Sequence, residues 1–231
     1  RLPDNDPPPT TAAPGTEVFR QAYDQLAEQG AKQILSIHIS PSLSATLTVA
    51  QLAAQETQSV SVTAFDSGQL SLGLGFIVLT AAEAAAAGRP LNEIIDLLHE
   101  TASRTHVFAA LETLEYLRRS GRMNRAVAGF GNLLQIKPLL KMHDGSPTAE
   151  RVRTTNGATK RLIDILSELA PLERVALVHA RAPGRAAALR QQAKHLLPSE
   201  GTVPAVEITP VLGANLGPGA VGFACVTARK E

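Results

Sequence analysis

The sequence contains no tryptophan, and aromatic residues make up only 3% of its 231 positions. So few aromatic rings disfavour a surface on which nucleic-acid bases stack. The charges nearly cancel, with 22 Lys and Arg against 21 Asp and Glu, which excludes nucleic-acid binding driven by a strong positive field. A single cysteine, Cys225, excludes an internal disulfide framework and fits a reducing compartment. We therefore expect a cytoplasmic protein in which Cys225 is a small buried hydrophobic residue.

Long hydrophobic runs are also missing. The longest apolar stretch without a charge, residues 70–82, is shorter than the roughly 20 residues that a membrane-spanning helix needs. It therefore predicts a buried helix and no membrane span. The chain does not open with a basic segment followed by an apolar core, so no secretory signal is visible.

The sequence does contain a regular alternation of strand-like and helix-like segments. From residue 16 to residue 102 the order is helix, strand, helix, strand and two further helices, which is typical of a parallel sheet covered on both faces. The second half adds a hairpin signal at residues 143–146, which indicates a mixed sheet. We predict an α/β fold with two lobes: a parallel α/β/α sheet lobe over residues 1–103 and a mixed-sheet α/β lobe over residues 104–231.

Hydroxyl-rich segments follow both predicted strands of the first lobe, at residues 40–46 and 66–73. Ligands of open parallel sheets bind outside the carboxyl ends of the strands, and helix starts favour anions. These two segments therefore indicate an anion site. The alternative is that Ser42, Ser44, Ser67 and Ser71 only cap helices, and both interpretations stay open.

A third segment, residues 213–220, contains three glycines and predicts a loop that lets the backbone approach a ligand closely. It does not match a phosphate-binding loop or a dinucleotide motif. The six histidines have no metal-binding spacing, and no Gly-x-Ser-x-Gly turn carries a nucleophile. The residues identify no catalytic group, no metal site and no cofactor.

Several segments, in their order along the chain, resemble motifs of the DegV family. The clearest is residues 114–123, LEYLRRSGRM, which is close to the family's LEYLKKGGRI. Others are Pro-Thr-Thr at 9–11, the strand and hydroxyl-rich segment at 36–46, Asp-Ser with the following serine and glycine at 66–73, Ile-Lys-Pro at 136–138, Arg-Val-Arg at 151–153 and Gly-Pro-Gly at 217–219. The resemblance extends over essentially the whole chain.

The resemblance implies a two-lobed lipid-binding protein that holds a long-chain fatty acid. In some members the carboxylate is presented to a partner kinase that makes an acyl phosphate, so a fatty acid kinase subunit is an expected partner. The family's carboxylate contacts fall on Thr10 or Thr11 and on Ser44, and the position of its glycine-rich-loop histidine is Asn215. The ligand-binding residues expected from the motifs are Thr10, Thr11, Ser44, Ala45, Ser67, Asn215 and Gly217.

The chain departs from the family pattern at informative places. Asn215 replaces the histidine, and an amide can donate a hydrogen bond but carries neither a proton nor a positive charge. Ala45 replaces the usual glycine. The family's opening strand is absent, so we expect a first lobe truncated at its start. Fatty acid binding tolerates these changes more easily than phosphotransfer does.

We therefore expect a non-enzymatic carrier of a fatty acid or a similar amphiphile. One alternative is a phosphotransfer enzyme related to dihydroxyacetone kinase, against which the missing nucleotide motif counts. Another is a protein-interaction subunit with a vestigial pocket. A basic segment supplies a docking surface for an acidic partner, unless its charges are only a solvated helix end. Its residues are Arg118, Arg119, Arg122 and Arg153, with Arg125 nearby.

Overall fold

The computed structural model describes residues 9–122, 136–199 and 202–229. Helices and strands alternate along these ranges and form two sheets, which confirms the predicted α/β class. The strands are β1 (Gln33–His38), β2 (Ser61–Asp66), β3 (Thr105–Ala110), β4 (Lys137–His143), β5 (Ser146–Val152), β6 (Leu172–His179), β7 (Ala205–Glu207) and β8 (Val221–Thr227). The helices are α1 (Thr16–Glu28), α2 (Thr46–Glu56), α3 (Ser71–Ala86), α4 (Leu91–Ser103), α5 (Glu115–Arg119), α6 (Thr155–Leu169), α7 (Pro183–Gln192) and α8 (Pro210–Leu216), with a 3-10 turn at Lys194–Leu196.

The smaller sheet consists of β1 and β2, which pair in parallel from Gln33 opposite Ser61 to His38 opposite Asp66. A parallel pair needs a crossover connection, and α2 supplies it. Helix α1 packs on α2, while α3 and α4 pack together and bury Ile77 and Leu98 completely. The first lobe therefore has helices on its sheet, as the alternation predicts.

The larger sheet has six strands in the order β5-β4-β3-β8-β6-β7. Strand β8 lies between β3 and β6 and is antiparallel to both, whereas β6 and β7 are parallel. Residues 221–226 are all buried, because both neighbours and the packed helices cover them. This mixed sheet begins at Thr105, directly after the domain boundary predicted at residue 103.

Helix α3 contacts both sheets, which explains why its sequence is apolar on every side. Phe76 packs with Val107 and Ala224 of the larger sheet, and Ile77 packs with Phe65 of the smaller one. An added Cβ at Gly73 would lie 2.5 Å from Cγ2 of Val107, so glycine permits this close approach. The buried helix predicted from residues 70–82 is confirmed, and no described helix is long and apolar enough to cross a membrane.

The segment predicted as a glycine-rich loop at residues 213–220 is helical over its first part. Helix α8 begins after Thr209, whose side chain accepts a hydrogen bond from the backbone N–H of Leu212 at 3.5 Å. Pro210 occupies the first helical position, and Gly217 follows the helix with a φ of 75°. A threonine cap, a proline and a terminal glycine are start and stop signals, and they outweigh the low helix propensity of Gly213.

Candidate functional site

An internal cavity of about 240 Å³ lies between the larger sheet, the turn after β1, the start of α3 and helix α8. Most of its wall is aliphatic. Residues from both sheets and from the connecting segments contribute, among them Ile39, Leu43, Val107, Leu140, Val178 and Ile208. A concave apolar space with few polar groups is the usual form of a small-molecule site.

Four polar side chains of the cavity wall are Thr11, Ser44, Asn215 and Arg122, and three of them also line a second pocket. The other polar residues of the wall are Thr46, Ser71 and Lys141, and Lys141 pairs with Glu150 at 3.1 Å.

The second pocket has a volume of about 240 Å³, is more polar and shares Thr11, Asn215 and Arg122 with the cavity. Its other lining residues include Thr10, Tyr116, Arg119 and Ser120. We call the part of the cavity wall at Thr11, Ser44, Asn215 and Arg122, together with the adjoining pocket, the polar end.

The side chain of Thr11 is unpaired at this place. Its Oγ1 is buried and has no hydrogen-bond partner among the described residues. A buried hydroxyl without a partner costs about 1–3 kcal/mol relative to one that is satisfied. Because Thr11 lines both the cavity and the adjoining pocket, this hydroxyl lies beside the space that a ligand would occupy.

Ser44 is positioned by the start of α2. Its Oγ lies 2.7 Å from Oγ1 of Thr46 and accepts the backbone N–H of Thr46 at 3.3 Å. A hydroxyl carries one donor and two acceptor sites, so Ser44 can accept from Thr46 and still donate to a ligand. The N-cap residues of α2 and α3 make no side-chain cap, but Ser44 satisfies the first backbone N–H of α2, so a helix-start role and a ligand role are compatible for this serine.

Asn215 lies on α8 and is buried. One amide hydrogen goes to the carbonyl oxygen of Val211, with Nδ2 and O 2.8 Å apart. The amide nitrogen has a second hydrogen, which remains available for a ligand at the cavity wall. The structure therefore places the residue that replaces the family histidine at the polar end.

Arg122 brings a positive charge to the polar end. The backbone N–H of Arg122 donates to the carbonyl of Leu117 at 3.1 Å, and Gly121 has a φ of 71°, a geometry that turns the chain back after α5. Nη1 donates to the carbonyl of Ser120 at 3.1 Å and Nε to that of Leu43 at 3.4 Å. No carboxylate in the described ranges pairs with this guanidinium.

The sequence predicts Arg122 as part of a docking surface, and the structure places it in the wall of the cavity and of the polar pocket. The terminating glycine before it was the available signal, because a left-handed glycine after a helix redirects the next side chain. Arg125 lies outside the described residues.

Three of the expected ligand residues do not line the cavity or the polar pocket. Ser67 is 0% exposed, and its Oγ donates to the carbonyl of His38 at 2.7 Å and accepts the N–H of Gln69 at 3.1 Å. Ala45 is the N-cap residue of α2. Gly217 ends α8, where an added Cβ would overlap the ring of Tyr116. These residues position the site rather than line it.

The remaining arginines of the basic segment are exposed. Arg118 and Arg119 both bind Glu115, with N–O distances of 2.7 and 2.8 Å. The hydrogen bonds from Arg118 and then Arg119 lower the pKa of Glu115 to about 2, so its charge offsets part of theirs. Arg153 is exposed after β5.

A polar network holds the end of the glycine-rich segment. Arg185 donates to the carbonyl of Gly219 at 2.5 Å and also binds Glu112, which in turn binds Lys137 at 2.6 Å. Burial raises the pKa of Glu112, but the hydrogen bond from Lys137 and the charge of Arg185 outweigh it and hold this pKa below its usual value. The network fixes the position of the backbone that follows α8.

Other reactive groups do not form a site in the part of the chain that the structure describes. No group of three His, Cys, Asp or Glu side chains there could hold a metal ion. Burial raises the pKa of the Cys225 thiol to about 12, so it is a packed hydrophobic side chain. The chemistry of the polar end thus consists of hydrogen bonding and the positive charges of Arg122 and Arg119, of which Arg119 pairs with Glu115.

This fold and cavity define a two-sheet α/β binding protein with an amphipathic internal site. The chain matches the DegV family, described as uncharacterised proteins, over residues 1–228, and it belongs to that family. A DegV domain-containing protein of Streptomyces coelicolor is 38% identical over 219 residues, which cover 93% of this chain and 77% of the relative.

Two solved structures carry informative names. A DegV family protein from Thermus thermophilus, named for fatty acid binding, is 33% identical with a TM-score of 0.84 and covers 95% of this chain and 79% of its own. DegV from Bacillus subtilis, named a fatty acid binding protein, is 28% identical with a TM-score of 0.84 over the same shares of the two chains.

Proposed function

We propose that this chain binds a long-chain fatty acid, or an amphiphile of similar shape, with its hydrocarbon in the cavity and its carboxylate at the polar end. The observation that carries the proposal is an aliphatic cavity whose wall includes Thr11, Ser44, Asn215 and Arg122. The first three offer hydrogen-bond donors, and the fourth offers a charge that no carboxylate of the described residues neutralises. The names of the two similar structures support the same ligand class.

The two parts of such a ligand contribute differently to affinity. Each buried methylene contributes about 0.8 kcal/mol, so the hydrocarbon supplies the larger gross term. A hydrogen bond to a charged group contributes about 1.5–3 kcal/mol net. Four methylenes therefore match the best contact of the carboxylate. We expect chain length to govern affinity and the polar end to govern orientation.

Replacing the charge of Arg122 tests this orientation directly. We expect Arg122→Gln to weaken palmitate binding about tenfold, or ~1.4 kcal/mol, because the carboxylate loses its cation. Methyl palmitate, which has no charge, should bind wild type and variant equally. Titration calorimetry with both ligands measures the difference. The matched control is Arg118→Gln, because Arg118 is exposed, pairs with Glu115 and does not line the cavity.

Removing the hydroxyl of Thr11 is a second test of the proposed carboxylate site. Thr11→Val keeps the shape and removes a buried hydroxyl that has no partner in the described part of the chain. We expect this variant to be at least as stable as wild type without ligand and to bind palmitate more weakly. Native mass spectrometry that shows only the bare chain after palmitate addition would contradict the proposal and favour a vestigial pocket.

We further propose that the chain is a carrier that presents the bound carboxylate to a fatty acid kinase subunit. The polar pocket next to the carboxylate site gives a route by which a phosphoryl donor on a partner approaches. Asn215 carries no titratable proton, so the chain itself is not proposed as the phosphotransfer enzyme. The exposed Arg118, Arg119 and Arg153 provide a positive surface for the partner.

The docking surface is tested with Arg118→Glu combined with Arg153→Glu, because neither residue lines the cavity or the polar pocket. We expect weaker binding of a purified fatty acid kinase subunit and a flatter dependence on salt, with palmitate affinity unchanged. The control is Arg89→Glu, an exposed arginine that pairs with Glu93 at 3.8 Å. An equal loss of complex in the control would contradict a specific docking role.

A further inference from the structure

A surface groove lies beside the cavity at its apolar side, between the start of α3, strand β7 and helix α8. Six residues line both spaces: Ile39, Ser71, Val178, Ile208, Val211 and Leu212. We call this second space the apolar groove. Because six side chains line both spaces, the groove and the cavity are direct neighbours within the described residues.

The groove has the chemistry of a hydrocarbon site. Leu72, Leu74 and Val206 line it without lining the cavity. Apart from Ser71, Glu207 and Thr209, all of its side chains are aliphatic. Val206 and Val211 are 40% and 58% exposed, so valine side chains at the groove face water. Covering such surface with a hydrocarbon is favourable.

The charges at the two ends fix the direction of an amphiphile. Arg122 lies at the polar end, whereas Glu207 is the charged residue of the groove. A carboxylate is attracted to the first and repelled by the second. The groove therefore suits the uncharged end of a fatty acid and disfavours its head.

We propose that the methyl end of a long acyl chain passes between α3 and α8 and lies in the apolar groove, where Leu74 and Val206 favour longer chains. This inference rests on the proposed function and specifies which chains the site takes. A closed cavity would impose a sharp upper limit on chain length. An open groove instead lets affinity continue to rise with each methylene, by a smaller step because one side of the chain stays in water.

The gain in affinity per added methylene is expected to differ between the cavity and the groove. A fully buried methylene increases affinity about fourfold, from ~0.8 kcal/mol at ~1.4 kcal/mol per factor of ten. A methylene that lies in an open groove is covered on about half of its surface, so the step falls to about twofold.

A chain-length series on a groove variant is the first test. Leu74→Asp combined with Val206→Asp places two carboxylates beside the proposed methyl end. We expect laurate to bind the variant like wild type and stearate to bind about tenfold more weakly. The matched control is Leu52→Asp with Leu79→Asp, because both leucines are exposed and line neither space.

The outcomes separate this inference from the proposed function. If the variant binds acids of every chain length with wild-type affinity, or loses the same affinity for all of them, the groove does not hold the methyl end. Both results overturn the inference and leave fatty acid binding intact. If wild type binds none of the acids, the proposed function and the inference fail together.

Fluorescence quenching tests the direction of the chain. The sequence has no tryptophan, so Val206→Trp introduces a single indole at the groove and Tyr116→Trp introduces one at the polar end. Stearate with a doxyl group near its methyl end should quench the indole of Val206→Trp more strongly than stearate labelled near the carboxylate. The order should reverse for Tyr116→Trp. Equal quenching by both probes in Val206→Trp would overturn the inference.

Discussion

Two hydroxyl-rich turns follow the two parallel strands of the first lobe, and Ser44 of the first and Ser67 of the second have different roles. The turn after β1 places Ser44 in the wall of the cavity. The turn after β2 buries Ser67 completely and uses its hydroxyl to bind His38 and Gln69. Their positions in the sequence are equivalent, because each follows the carboxyl end of a strand. Equivalent places in a sheet therefore do not guarantee equivalent roles.

The difference comes from how each hydroxyl is covered. The tip of the β4–β5 hairpin contacts both turns: the backbone N–H of Gly145 donates to the carbonyl of Gly68 at 3.2 Å, and Ser40 Oγ donates to the carbonyl of Gly145 at 3.2 Å. Gln69 reaches the larger sheet and donates to the carbonyl of Thr105 at 2.8 Å. A fully covered hydroxyl such as that of Ser67 must be satisfied internally, whereas a hydroxyl in the cavity wall such as that of Ser44 can be offered to a ligand.

The different roles of the two serines are tested most directly by removing each hydroxyl in turn. We expect Ser67→Ala to lower the free energy of unfolding by about 2 kcal/mol, because the N–H of Gln69 and the carbonyl of His38 lose a buried partner. Ser44→Ala should leave stability within about 0.5 kcal/mol and weaken palmitate binding about tenfold. Urea unfolding and palmitate titration on both variants measure the two effects.

Each variant is the control for the other. Ser67→Ala should keep wild-type palmitate affinity in its folded state, because Ser67 does not line the cavity. A tenfold loss of affinity in Ser67→Ala, or a large loss of stability in Ser44→Ala, would show that the two turns are not divided in this way.

We expect a smaller effect on stability from lowering the pH, through two stacked histidines of β3 and β4. His106 of β3 stacks on His143 of β4, with ring centroids 3.9 Å apart. Burial, and then the charge of His143, lower the pKa of His106 from 6.5 to about 4, although Asp144 opposes the shift. The unfolded chain therefore binds a proton first as pH falls.

The stability linked to His106 is fully present above pH 6.5 and is lost as pH falls from 6.5 to about 4. We expect a loss of about 1 to 2 kcal/mol, since partial exposure reduces the full value. His106→Phe keeps a ring in the stack and should flatten this part of the curve. Urea unfolding between pH 7 and 4 measures it, with the exposed His195→Gln as control. If the free energy of unfolding of His106→Phe falls with pH as steeply as that of wild type, this account is contradicted.

Much of the fold follows from local sequence patterns. Strands β1 and β2 are dense in apolar and β-branched residues, and the uncharged run at 70–82 produces a helix buried between two sheets. Helix α8 was missed, because its glycines were given more weight than the Thr209–Pro210 start. The candidate site was predictable in part, since Thr11, Ser44 and Asn215 all lie in the cavity wall. Arg122 was predicted only as part of the docking surface, and the structure shows that it lines the cavity.

The sequence by itself determined the α/β class, the family and the types of group that the site contains, because these depend on residues close together along the chain. Only the tertiary structure decided which hydroxyls face the cavity, that Arg122 joins it, and that an apolar groove adjoins it. Those features depend on contacts between distant segments, such as the bond from Ser40 Oγ to the carbonyl of Gly145, 105 positions away. No local pattern encodes such a contact, because packing of the two sheets around α3 creates it.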